Sequence, residues 1–115
     1  MENGNIIQRV MNDDTLILNP GRMLDNNNAH EMVEAVTSAQ TRGFKFIIVD
    51  MADLEFLSSA GVGSILGTVE ISRDMQGDIV LCNVSGTILH VLEVLDLADF
   101  LTIKSTMQDA VATCE

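Results

Sequence analysis

Aromatic residues are nearly absent from this sequence, which has no Trp or Tyr and an aromatic share of only 3%. A core built around large rings is therefore excluded, and Val, Ile, Leu and Met must supply most of the buried surface. The chain has 115 residues, of which 47% are apolar and 20% are charged. This size and balance predict one folded domain over residues 1–115, with no disordered tail.

Basic residues are also scarce. The chain has 6 Lys and Arg against 17 Asp and Glu, for a formal net charge of -11. This charge disfavours attraction to the phosphate groups of DNA, RNA or an anionic membrane surface, so neither a nucleic acid nor a membrane is expected as a partner. Two interpretations of the acidity stay open: it serves solubility, or it attracts a basic protein partner.

Long apolar runs and cysteine pairs are missing as well. No stretch approaches the roughly 18 apolar residues that a membrane span requires, and the first residues do not show the basic and apolar segments of a signal peptide. The only cysteines are Cys82 and Cys114, which lie in apolar surroundings far apart in the sequence. They are predicted to be buried, reduced and without a disulfide or metal role. A cytoplasmic location is expected.

Hydrophobic patterning predicts strands and helices that alternate along the chain. Uninterrupted apolar runs indicate buried strands, and apolar residues at i, i+3, i+4 and i+7 indicate helices. The expected fold class is α/β, with a small, mostly parallel sheet of about five strands, four helices and an antiparallel edge from an N-terminal hairpin. The predicted strands are 6–11, 15–18, 44–49, 79–82 and 100–103; the predicted helices are 28–41, 60–75, one that begins at Ser85 and one at the C-terminal end; 22–28 and 50–55 are predicted connections.

The stretch 56–67 is the centre of this pattern, because a strand-like run ends there in two serines and a helical run begins. Ser58 and Ser59 lie where the unpaired N–H groups of a helix start need side-chain oxygens. Gly61 and Gly63 follow closely and would allow another backbone to approach.

Functional loops of parallel sheets gather beyond the carboxyl ends of the strands. The serine junction follows one predicted strand, the segment 83–86 follows another, and the loop 20–28 follows a third. These three segments are therefore expected to converge on one surface.

Catalytic chemistry is not expected at that surface. A serine nucleophile needs a nearby base, and the only imidazoles, His30 and His90, lie on predicted helices as ordinary surface or half-buried residues. The sequence also lacks a Gly-x-Ser-x-Gly turn, a dinucleotide fingerprint and a phosphate-binding Gly-Lys-Ser/Thr motif. The chain is therefore predicted to be no enzyme and to have no cofactor or metal.

The combination of these features resembles a known family, the STAS domains or anti-sigma factor antagonists. The residues that carry the resemblance are the strand 46–50, the motif 54–67 and the segment 82–85, and it extends over nearly the whole chain. Its core is a serine, a small residue, a glycine, an apolar residue and a second glycine at a strand-to-helix junction. The resemblance implies a STAS-like fold and a non-enzymatic role.

The resemblance also implies a switch of partners. Family members in the unphosphorylated form bind an anti-sigma factor that is also an ATP-using serine kinase, and this binding frees the sigma factor. The kinase then phosphorylates a serine at the helix start and releases the antagonist, which a PP2C-type phosphatase restores. Ser59 matches that serine. Many members have Asp immediately before it, and this sequence has Ser58 there, so Ser58 is the second candidate for phosphorylation.

A partner-binding surface around Ser59 follows from the same resemblance. Asp25 aligns with an acidic position beside the phosphorylated serine, where it orients the hydroxyl or contacts the kinase. An alternative stays open, in which both serines only cap the helix and the chain is a phosphorylation-independent STAS scaffold module in a larger signalling or transport assembly. The expected partner-binding residues are Asp25, Asn27, Ser58, Ser59, Ala60, Gly61, Val62, Gly63 and Ser85.

Overall fold

Strands and helices alternate along residues 6–115, the part of the chain that the computed structural model describes. The predicted order is confirmed, and two short strands are added to it. The expectation that the chain begins without a leader concerns residues 1–5 and lies outside the described residues. The elements are β1 (Ile7–Val10), β2 (Thr15–Asn19), β3 (Met23–Leu24), α1 (Ala29–Thr41), β4 (Phe46–Asp50), β5 (Phe56–Leu57), α2 (Ser59–Asp74), β6 (Asp78–Cys82), α3 (Gly86–Val94), β7 (Thr102–Lys104) and α4 (Met107–Thr113).

Five of the strands form the main sheet, in the order β1-β2-β4-β6-β7. β1 runs antiparallel to β2, and all other neighbours are parallel, which confirms the predicted fold class and the antiparallel hairpin edge. β4 lies at the centre, where Ile47, Ile48 and Val49 are fully buried. This burial on both faces explains the uninterrupted apolar run from which the central strand was predicted.

The two faces of the sheet pack against different helices. Alternate strand residues such as Leu18, Ile47 and Leu81 join the larger apolar cluster with residues of α1, α2 and α3. The intervening residues pack against α4 in a smaller cluster, because successive strand side chains point to opposite faces. The smaller cluster contains Ile17, Ile48, Val80, Cys82, Ala110 and Cys114.

Both cysteines are buried and free, as predicted. Burial, reinforced by the charge of Asp50, raises the pKa of the Cys82 thiol to about 11. Burial and the charge of Asp78 raise the pKa of the Cys114 thiol to about 11. Both side chains are therefore neutral thiols at ordinary pH. Among residues 6–115, no helix combines the length and the apolar character that crossing a bilayer requires.

A second sheet contains only β3 and β5, which pair in parallel. The prediction of a loop over 22–28 was therefore incomplete, because β3 lies within it and a strand of two residues leaves no periodic pattern in the sequence. β5 lies in the strand-like run that was predicted to end at the two serines, after the predicted connection 50–55. The last strand was also placed too early. β7 begins at Thr102, since the backbone N–H groups of Phe100 and Leu101 instead bond to the Leu97 carbonyl in a turn.

Candidate partner-binding site

Ser58 is the N-cap of α2. Its backbone is extended, and its Oγ accepts a hydrogen bond from the Gly61 N–H at 3.2 Å. Its own N–H donates to the Leu24 carbonyl at 3.0 Å, and its carbonyl accepts from the Val62 N–H at 2.9 Å. The side chain and both backbone groups of Ser58 therefore have structural partners, as the sequence preference for Ser at a helix start predicts.

Ser59 is the first residue of α2 and is exposed. Within residues 6–115 its hydroxyl makes no hydrogen bond, in contrast to that of Ser58. The hydroxyl also lies at the end of the helix where free N–H groups and the helix dipole favour negative charge. A negatively charged group on Ser59 would therefore break no side-chain hydrogen bond within residues 6–115.

Gly61 packs inside the chain against the short sheet. A Cβ at this position would overlap the Leu24 carbonyl oxygen, so the close backbone approach expected at Gly61 is made by the chain itself. Val62 is also buried, at 6% exposure, whereas Gly63 is exposed with open space where a side chain would be. Ala60 is half-buried. The helix start therefore offers a partner mainly Ser59 and Gly63.

Asp25 is buried in the turn that leads into α1, with 6% exposure. Its Oδ1 accepts from the Asn27 N–H at 2.9 Å, and its N–H donates to Asn28 Oδ1 at 2.9 Å. The described part of the chain has no hydrogen bond between Asp25 and either serine, so the carboxylate shapes this turn. Asn27 is exposed beside it.

Ser85 is exposed and caps α3, where its Oγ accepts from the Ile88 N–H at 3.2 Å. Asn83, two residues before Ser85, connects the carboxyl ends of β6 and β4. Its Nδ2 donates a hydrogen bond to Asp50 Oδ1 at 3.0 Å. The structure thus joins the 22–25 and 56–61 segments directly and puts Ser85 at the carboxyl end of β6. It gives no hydrogen bond between Ser85 and Ser59 among the described residues.

An exposed apolar pair beside the serines was missed by the sequence reasoning. Met23 and Phe56 are direct partners in the β3–β5 pairing, and their exposures are 47% and 52%. The adjacent Arg22 and Glu55 form an exposed ion pair at 2.9 Å, whose hydrogen bond and charge lower the pKa of Glu55 and raise that of Arg22. Nothing in the sequence pattern distinguished Phe56 from a core residue.

The sequence of this chain matches the profile of a known protein family. A sequence profile of the STAS domain matches residues 7–110, nearly the whole chain. The chain belongs to the STAS domain family. Its match to BtrV of Bordetella bronchiseptica, named as a candidate anti-sigma factor antagonist, has 34% identity over 79 residues. That match covers 68% of this chain and 66% of BtrV, just under two thirds of the relative.

Three solved structures share the fold at lower identity. The anti-sigma factor antagonist SpoIIAA in its unphosphorylated form aligns with a TM-score of 0.80 at 21% identity, over 92% of both chains. Bacillus SpoIIAA in its phosphorylated form gives 0.73 at 21% identity, over 93% of this chain and 96% of SpoIIAA. The murine anion transporter Slc26a9 gives 0.71 at 16% identity, over 87% of this chain and 17% of the transporter.

Proposed function

We propose that this STAS protein is an anti-sigma factor antagonist that binds an anti-sigma serine kinase in its unphosphorylated form. Phosphorylation of Ser59 releases it, and a PP2C-type phosphatase restores the binding form. The observation that carries the proposal is the exposed Ser59 hydroxyl, which has no hydrogen bond in residues 6–115 and lies at the start of α2. The name of BtrV and the fold shared with both forms of SpoIIAA support it.

A protein partner fits the surface around Ser59. Met23 and Phe56 place two large apolar side chains side by side near the start of α2. Exposed apolar groups with a polar surround are typical of interaction surfaces. The polar surround here consists of the Arg22–Glu55 ion pair and the exposed Asn27. The small surface at Gly63 would let the partner approach the helix closely.

Phosphorylation weakens partner binding and leaves the fold of the antagonist unchanged. A phosphoryl group adds about -1.5 to -2 charges at neutral pH, and at the N-terminus of α2 it meets a favourable helix dipole. The same charge would have to be desolvated when a partner covers Met23 and Phe56. Because a buried charge without a counterion is costly, the complex weakens while the free antagonist stays folded.

Phosphate transfer by purified kinases tests the proposal. The chain is incubated with each anti-sigma serine kinase of its source organism and Mg-ATP, and the product is analysed by intact mass and fragmentation. We expect one phosphate on Ser59, its loss in Ser59→Ala, its retention in Ser58→Ala and its removal by a PP2C phosphatase. A chain that accepts no phosphate, or accepts it only on Ser58, contradicts the proposal.

The second candidate function is a phosphorylation-independent scaffold module. The fold likeness to a segment of Slc26a9 and the capping role of Ser58 favour it. A scaffold would bind its partner equally well as the wild type and as Ser59→Asp. The switch instead predicts that Ser59→Asp weakens the complex at least tenfold, so titration calorimetry with the anti-sigma partner separates the two functions.

A further inference from the structure

β1 forms one edge of the main sheet, and all four of its residues are exposed. Ile7 and Val10 are the most exposed apolar side chains on it, at 65% and 60%. Natural sheets protect their edges with charged side chains, proline, bulges or very short strands. β1 contains no proline and pairs with β2 without a bulge over all four positions, so its edge protection is limited to its short length and to the one charge of Arg9. Within residues 6–115, no strand pairs with the outer side of β1.

The backbone groups that the edge offers can be identified. The Met11 N–H donates to the Thr15 carbonyl at 3.0 Å, so Met11 directs its backbone groups toward β2. Backbone direction alternates along a strand of an antiparallel pair. Ile7 and Arg9 therefore also bond toward β2, whereas Gln8 and Val10 direct their N–H and C=O groups outward.

The outward backbone groups of β1 match those of β1 in a second copy of the chain. Two copies related by a two-fold axis perpendicular to the sheet would pair their β1 strands antiparallel, with residues of the same face opposite each other. Centring the pair on Arg9 would place two like charges directly opposite, which is destabilising. Centring it on Gln8 avoids this, because the outward groups of Gln8 then bond to those of the other Gln8. Ile6 then bonds to Val10 of the second copy.

Charge complementarity favours the Gln8 register further. Arg9 has no carboxylate within ion-pair distance in the described part of the chain. In this register, Arg9 of the second copy lies across Ile7, whose neighbours along the same face are Asn19 and Asp50. These residues line a shallow cavity of about 130 Å³ together with Ile17 and the same copy's own Arg9. The Arg9 stem of the second copy would cover the exposed Ile7, and its guanidinium would point toward Asp50, the carboxylate of this cavity.

We propose that the chain forms a homodimer through antiparallel β1–β1 pairing centred on Gln8, which makes one continuous sheet across two copies. Because each copy has a net charge of -11, overall repulsion opposes the contact. The dimer is therefore concentration-dependent and becomes tighter as salt screens the repulsion.

Disulfide trapping tests the register. In Gln8→Cys, the two new thiols lie on the axis, where a hydrogen-bonded pair has Cα atoms about 5.5 Å apart, within disulfide range. In the matched control Arg9→Cys, the two positions are offset, roughly 8 Å apart, beyond that range. We expect diamide to produce covalent dimers of Gln8→Cys at least ten times faster than of Arg9→Cys. Equal rates, or faster trapping of Arg9→Cys, overturn the proposal.

Sedimentation equilibrium of the uncross-linked protein tests the dimer itself. Gln8→Glu places two carboxylates opposite each other and should weaken association at least tenfold at neutral pH. Gln108→Glu makes the same change at an exposed position of α4 and should leave association as in the wild type. A monomeric wild type at every concentration and salt, or equal effects of the two variants, overturns the proposal. Circular dichroism verifies that both variants are folded.

Discussion

The backbone carbonyl oxygen of Leu24 packs against Gly61, in the space that a Cβ would occupy. This contact fixes the short β3–β5 sheet to the first turn of α2. Met23 and Phe56 therefore lie in a sheet that is in direct backbone contact with the helix that begins at Ser59.

Gly61→Ala should lower the free energy of unfolding by about 1–3 kcal/mol, because the added methyl overlaps a backbone atom that cannot move alone. Gly67→Ala is the matched control in the same helix, with open space at its Cβ position. It should raise the free energy of unfolding by up to about 1 kcal/mol, since Ala favours helix more than Gly. Urea denaturation followed by circular dichroism measures both, and equal stabilities would contradict the contact.

The main sheet could be predicted because its strands leave strong local signals. The uninterrupted run around Ile48 reflects burial on both faces, and the spacing of Val62, Ile65 and Val69 reflects the buried face of α2. Ser58 could be assigned as a cap from residue type alone. These signals depend on neighbours in the sequence.

The features that the sequence did not reveal depend on distant contacts. β3 has two residues, too few for a period, and its pairing with β5 joins segments more than thirty positions apart. The partner of Gly61 is a carbonyl of Leu24, which no local pattern identifies. The exposure of Phe56 is likewise a consequence of that pairing. The partner-binding roles of all the predicted site residues, Asp25 and Ser85 included, stay predictions.

Ser58→Ala should lower the free energy of unfolding by about 1 kcal/mol, because it removes the side-chain acceptor of the Gly61 N–H. Ser58→Asp should keep most of the stability, since Asp is an equally good N-cap. The Asp that many STAS relatives have at this position would thus serve the same structural role. Ser59→Ala is the control and should change stability little, because its hydroxyl bonds to nothing in residues 6–115. A larger loss for Ser59→Ala than for Ser58→Ala would contradict the assigned cap.

Gly63→Gln should weaken binding to the anti-sigma partner at least tenfold if the partner covers the start of α2. Gly63 and Gly67 are both exposed helix positions with open space, four residues apart in α2. Gly67→Gln therefore changes helix propensity equally and serves as the control for binding. Titration calorimetry compares the two variants, and equal affinities would remove Gly63 from the partner-binding surface.

Phe56→Ser should reduce affinity for the anti-sigma partner about tenfold or more, because a large apolar anchor in an interface contributes more than about 1 kcal/mol. Stability should change little, since about half of the side chain is exposed at 52%. Phe100→Ser is the control, because Phe100 is 40% exposed and lies in the turn before β7. The apolar pair is not an anchor if both variants bind like the wild type.

Cys82 and Cys114 should resist alkylation in the folded protein. Burial is the main reason that both thiol pKa values rise from 9.0 to about 11, so almost no reactive thiolate exists at neutral pH. Iodoacetamide should label both residues only in concentrated guanidinium chloride, as mass spectrometry would show. Rapid labelling of the native chain at neutral pH would show that α4 does not keep these thiols buried.

A raised pKa in the folded state also makes stability depend on pH. The contribution of the thiols is complete below about pH 9 and is lost as pH rises through about 11, so urea midpoints should fall over that interval.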